Sequence, residues 1–171
     1  MTLRTRIFLL GILTLFSWPP AAMASQRVAV FDFELIDTSL EGETYGARAD
    51  EKQRLKKTSD QLREALAKSA QFEVVDIGPV EAAAHEANLQ ACGGCDATLA
   101  RKAGADLSIT GTVQKVSNLI LNMNIYIRDV SSQKLIVSRS ADFRSNTDES
   151  WARALHYLIK NYVLAPNFGE N

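Results

Sequence analysis

Histidine, cysteine and tryptophan each occur only twice in the 171 residues, and proline four times. Two cysteines and two scattered histidines, His85 and His156, have no spacing typical of a structural zinc site. No histidine follows Cys95, which excludes the usual c-type haem attachment. There is no G-x-S-x-G, so no nucleophile elbow, and no glycine-rich loop of the kind that cradles phosphate. Neither sign of charge dominates. With 19 Lys plus Arg against 20 Asp plus Glu, the net charge of −1 leaves no electrostatic footprint for nucleic acid. After Trp18 no apolar run approaches the ~20 residues a membrane span needs. The first cysteine is Cys92, so no residue is placed to take a lipid anchor behind a leader.

What is present begins with a three-part leader. Arg4 and Arg6 precede an apolar run from Ile7 to Trp18, and Pro19, Pro20 and Ala22-Met-Ala24 follow. A basic end, a short apolar stretch and an A-x-A site make a secretory signal peptide. The expectation is a signal peptide at 1–24, cleavage between Ala24 and Ser25, and a periplasmic domain at 25–171. That length is ordinary for a single domain that folds on its own core.

Arg27 to Glu34 (RVAVFDFE) is rich in β-branched and aromatic residues and reads as a buried first strand. Residues 36–50 lack a period and carry two glycines, which suggests a surface loop. A helix from about Asp50 to Ala70 places Leu55, Leu62 and Leu66 on one face. The run Arg54-Leu-Lys-Lys57 reads as its solvated side. A short strand at Phe72–Asp76 and helices at Val80–Gln90 and Asp96–Ala103 follow, and Gly104 sits where a C-cap glycine belongs. Ala105–Val116 reads as a strand interrupted by Gly111. Residues 119–128 alternate apolar and polar as a half-exposed strand does, and a turn at 129–133 leads to a strand at Lys134–Phe143. The last helix carries Trp151, Leu155, Leu158, Ile159 and Tyr162 inward, and Asn146 with Glu149 has capping-box spacing. The order β-α-β-α-α-β-β-β-α predicts a single α/β domain with a mixed parallel and antiparallel sheet of about five strands.

Val28–Leu35, Ser39–Glu43, Cys92-x-x-Cys95 before Leu99–Asp106, Gln114–Leu121 and Asn146–Trp151 together resemble a family of exported bacterial proteins of unknown function. More loosely, the strand, helix, "GAD" and hairpin succession is similar to the α/β domain of TolB's N-terminal region and of curli-secretion lipoproteins. That resemblance implies a binding module of the envelope rather than an enzyme. Unlike the secretion lipoproteins, this chain lacks a lipidated cysteine.

Cys92-Gly-Gly-Cys95 is the sharpest chemical signal, and three chemistries are open to it. A static local disulfide suits an oxidising compartment. A redox-active dithiol would exploit the helix that begins at Cys95, although no strand precedes Cys92 as one would in a thioredoxin-like site. A metal site with His85 or His156 is the third. Both histidines otherwise read as helix residues, solvated at His85 and packed or capping at His156. Asp32 and Glu34 on one face of the first strand, with Asp37 beyond, could hold a cation or act as an acid/base pair, but acids there more often cap neighbouring helices or line the sheet's solvent edge. The polar corner Arg144, Asn146, Asp148, Glu149 and Trp151 reads either as helix capping with a core tryptophan or as a partner-binding site. No catalytic or cofactor-binding residues stand out. The leading expectation is a non-catalytic accessory module for an envelope or exported-enzyme system, partnered by another periplasmic or envelope protein. A thiol–disulfide oxidoreductase using Cys92 and Cys95, and a small-ligand or metal carrier, are the alternatives.

Overall fold

The computed structural model describes residues 25–166 and residue 168. Residues 1–24, where the sequence places the leader and its cleavage site, lie outside the described residues. Among those described, no helix is long and apolar enough to cross a membrane.

The strands are β1 (Gln26–Val30), β2 (Glu34–Asp37), β3 (Phe72–Val74), β4 (Leu107–Lys115), β5 (Ile120–Asp129) and β6 (Leu135–Arg144). The helices are α1 (Leu40–Tyr45), α2 (Ala49–Ala67), α3 (Glu81–Glu86), α4 (Cys95–Lys102) and α5 (Asp148–Leu158). One mixed sheet runs β3-β1-β4-β5-β6, with β2 also beside β4. β1 pairs in parallel with β3 and β4, whereas β4, β5 and β6 form an antiparallel meander. Helical crossovers serve the parallel half and tight turns the antiparallel half, as backbone geometry requires.

The sheet has six strands, not about five, because the first strand is broken. Val30 pairs with Ile109 and Glu34 with Thr112, so one extra residue is accommodated between them. This is the two-against-one arrangement of a bulge. Phe33 turns its N–H away from the sheet onto Ser59 Oγ at 2.9 Å. Its ring lies over Gly111, where any Cβ would collide with it. Gly111 therefore does not interrupt β4; it makes room for the bulge. The stretch 36–50 is likewise not a loop. It finishes β2 and forms α1, capped by Ser39, whose side chain accepts from Gly42 N–H.

α2 and α5 cover one face of the sheet. Val28, Val30, Leu107, Ile109, Leu121, Met123, Ile125 and Ile127 meet Leu62, Leu66, Trp151, Leu155 and Leu158 there. α3 and α4 cover only part of the other face, over Ala29, Phe31 and Val130. Asp96 of α4 is buried, takes a hydrogen bond from Ser108 and pairs with Arg128 at 3.1 Å, which pins α4 to β4 and β5. Among the described residues no helix packs over the rest of that face, through Gln114, Asn122 and Asp142.

Candidate functional site

Strand alternation puts Lys115 on the same side of β4 as Leu107, Ile109 and Val113, so a lysine ends a buried row. It is 1% exposed. Its ammonium lies 3.1 Å from Asp37, 3.1 Å from Glu41 and 2.7 Å from Glu51, one carboxylate for each N–H. Glu51 is wholly buried in the first turn of α2. It also accepts from Arg48 N–H at 3.0 Å and Asn146 Nδ2 at 2.7 Å. Burial by itself would push Lys115 down, but its three carboxylate partners carry it above the ordinary lysine value. Burial likewise works to raise Asp37, yet hydrogen bonds from Ser39 and the Lys115 charge hold it below the usual carboxylate range. Glu41 is lowered by hydrogen bonds from Asn118 and Lys115. One ammonium thus ties β2, α1, α2 and β4 together.

The corner 144–151 adjoins this node. Asn146 accepts from Trp151 Nε1 at 2.9 Å and from Arg54 at 3.3 Å, and donates to Glu51 and Asn118. It is not the helix cap; Thr147 is, accepting from Ser150 N–H. Trp151 is buried edge-on to Phe143, with ring centroids 6.2 Å apart. Asp148 pairs with Arg54 and Lys57, and Glu149 with Arg153. Arg144 stands exposed opposite Ile120. The corner divides into an internal half, Asn146 and Trp151, and a solvent-facing half, Arg144, Asp148 and Glu149. Arg54 is not a solvated residue; its side chain is 13% exposed and bridges Asp50 and Asp148.

Around the node lies an apolar surface that no sequence period announces. Ile36, Leu40, Val116, Leu119 and Ile120 are between 38 and 80% exposed. They share one end of the sheet: Val116 N–H donates to Ile120 O, Glu41 beside Leu40 accepts from Asn118, and Ser145 N–H donates to Leu119 O. Single exposed apolar residues are normal; five at the same end of one sheet are the feature that calls for a reason.

At the opposite end of β4, Cys92 and Cys95 are joined in a disulfide with Cα atoms 5.7 Å apart. The helix expected to run to Gln90 stops at Glu86, and Ala91 and Cys92 N–H turn back onto Asn88 O. Gly93 and Gly94 both take positive φ, +68° and +109°, which a residue with a side chain adopts at a cost. The bond closes a loop of sequence separation three. Replacing both cysteines by serine is expected to cost about 2 kcal/mol at most, because chain-entropy stabilisation is small for so short a loop. Urea melts of the two forms check this, and a loss beyond about 4 kcal/mol would show the bond supporting more than its own turn.

The three acids near β1 and β2 are separated. Asp37 holds Lys115, Asp32 pairs with Arg63 at 2.6 Å, and Glu34 is raised by burial, partly offset by a hydrogen bond from Leu89 N–H. They form no acid/base pair. Among the described residues the cysteines join neither histidine, and the one set of metal-capable side chains is Asp32, Glu81 and His85. His156 is exposed rather than packed.

No curated protein matches the chain in sequence. Among solved structures, the C-terminal domain of LpoB from Salmonella enterica is similar with 16% identity and a TM-score of 0.51, over 72% of this chain and 85% of that one. The hypothetical protein CT253 from Chlamydia trachomatis has 12% identity and a TM-score of 0.50, over 80% and 94%. TolB from Acinetobacter baumannii, at 13% identity and 0.43 over 81% and 27%, is too distant for any argument. At these identities likeness establishes the fold alone. Family membership is a separate matter of sequence: over residues 26–163 the chain belongs to the DUF3280 family, described as a protein of unknown function (DUF2380).

Proposed function

We propose that this protein is a non-catalytic accessory module of the periplasm that docks onto another envelope protein through the end of the sheet around Leu119. The observation that carries the reading is the group Ile36, Leu40, Val116, Leu119 and Ile120, exposed together above a rigid charged node. Covering the exposed part of each side chain would return a fraction of the roughly 1.5–3 kcal/mol that full burial of such a residue is worth. The exposed corner residues Arg144, Asp148 and Glu149 supply a polar rim, the usual anatomy of a non-obligate interface. The leader of the sequence, the disulfide and a fold shared with LpoB support an exported module of this kind.

The test is a charged residue in the patch. Leu119→Asp, in a turn, is expected to leave the folding free energy within about 0.5 kcal/mol of the parent, as surface changes do. Co-purification with the partner from gently solubilised envelopes should disappear. A partner retained at full yield by Leu119→Asp would remove this surface from the account.

A further inference from the structure

A cleft of about 730 Å³ opens between α2 and α3, floored by the bulge between β1 and β2. Asp32, Glu81 and His85 line it together. Glu81 and His85 stand four residues apart on α3, the spacing that puts two side chains on one helical face. His85 Nε2 lies 3.8 Å from Asp32 Oδ2 and 3.9 Å from Glu81 Oε1. Those separations are too long for hydrogen bonds, so three donor atoms converge within 4.8 Å without satisfying one another. Ligands about 2.0–2.1 Å from a tetrahedral ion sit roughly 3.4 Å apart. The two His85 separations exceed that by about half an ångström. The set as a whole, spread over up to 4.8 Å, closes onto an ion by rotation of the exposed Glu81 and His85 side chains.

We infer that Asp32, Glu81 and His85 form a site for a divalent transition cation of the zinc type, with the remaining position open to water in the cleft. Arg63 supports the arrangement from behind. Its guanidinium takes Asp32 Oδ1 at 2.6 Å and is itself held on Val30 O at 2.9 Å, leaving Oδ2 turned toward His85. Fixing a ligating carboxylate through its second oxygen is the ordinary work of an outer-shell partner. The same guanidinium offsets one carboxylate charge, which disfavours a hard ion such as calcium, with its six to eight oxygen ligands. The imidazole favours zinc instead.

The chain's two histidines make the test direct. In the tag-free full chain, zinc chloride is expected to shift the His85 ring resonances saturably in NMR spectra and leave those of His156 in place. Both Glu81 and His85 are exposed, so Glu81→Gln and His85→Ala should fold normally. By calorimetry each should weaken zinc binding at least about tenfold. Equal perturbation of both histidines, no saturable shift, or unchanged zinc affinity in both variants would overturn the assignment.

Discussion

Replacing Lys115 by methionine is expected to cost about 3–5 kcal/mol of folding stability, the range for removing one partner of a buried ion pair. The size follows from what remains behind. Glu51, fully buried, keeps its bonds from Asn146 and Arg48 N–H but loses its ion-pair partner at 2.7 Å. Adding Glu51→Gln to Lys115→Met should recover part of the loss, with a coupling of about 0.5–3 kcal/mol. The pH dependence has a definite sign. Asp37 and Glu41 lie below their ordinary values of 3.8 and 4.5 in the folded protein. Their stabilisation is therefore present above those values and is lost as pH falls through the folded ones. Lys115, raised above 10.5, contributes below that pH and loses its effect only in strong alkali. Acid titration of the native fold should thus be steeper for the parent than for Lys115→Met. Denaturant melts at pH 7 and pH 3 measure both effects, and a variant within 1 kcal/mol of the parent would show the node to be ornamental to stability.

Trp151→Ala should destabilise to a comparable degree, about 3–5 kcal/mol, because a core aromatic leaves both lost burial and a cavity. Trp151 is 2% exposed and packs among Phe143, Leu155 and the β5 and β6 side chains of the core. Its indole N–H also closes the Asn146 relay to Glu51. Trp151→Phe separates the two contributions. It keeps most of the volume and should lose the hydrogen bond, worth about 0.5–1.5 kcal/mol, together with some packing. If Trp151→Ala melted with the parent, the residue would have to be an exposed contact, which its burial contradicts.

Much of this fold is readable from residue patterns. The alternation of Leu121, Met123, Ile125 and Ile127 places β5 on the core with its polar neighbours outward, and the structure has that arrangement. The stripe of Leu62 and Leu66 on α2 is equally plain. The bulge is not, because a period-two reading of VAVFDFEL has no means to see that Phe33 donates its N–H to a helix hydroxyl 26 residues away. The hidden break gives the sheet its sixth strand, and it leaves Asp32 in the bulge while Glu34 and Asp37 stand on β2. The Lys115 node did leave a trace. Lys115 continues the buried parity of β4, and Glu51 extends the apolar stripe of α2 by one turn, both charges set where a hydrophobe is expected. Two charges in core positions on different elements are the sequence mark of a buried pair. Which of the chain's many acids and bases pair across 78 residues, as Asp37 and Lys115 do, is settled only by topology. The apolar patch is harder still, since Ile36 and Leu40 meet Val116, Leu119 and Ile120 from a second segment far along the chain.

Site-specific cross-linking in living cells tests the docking surface most directly. A photoreactive residue would be placed in turn at Leu40, Leu119 and Ile120, and for comparison at Lys68 and Glu73, exposed at the far end of the sheet. One discrete adduct, with the same envelope protein, is expected from the three patch positions and none from the other two. Adducts of equal yield from both ends, or a specific adduct from Lys68 or Glu73 alone, would contradict docking through the patch.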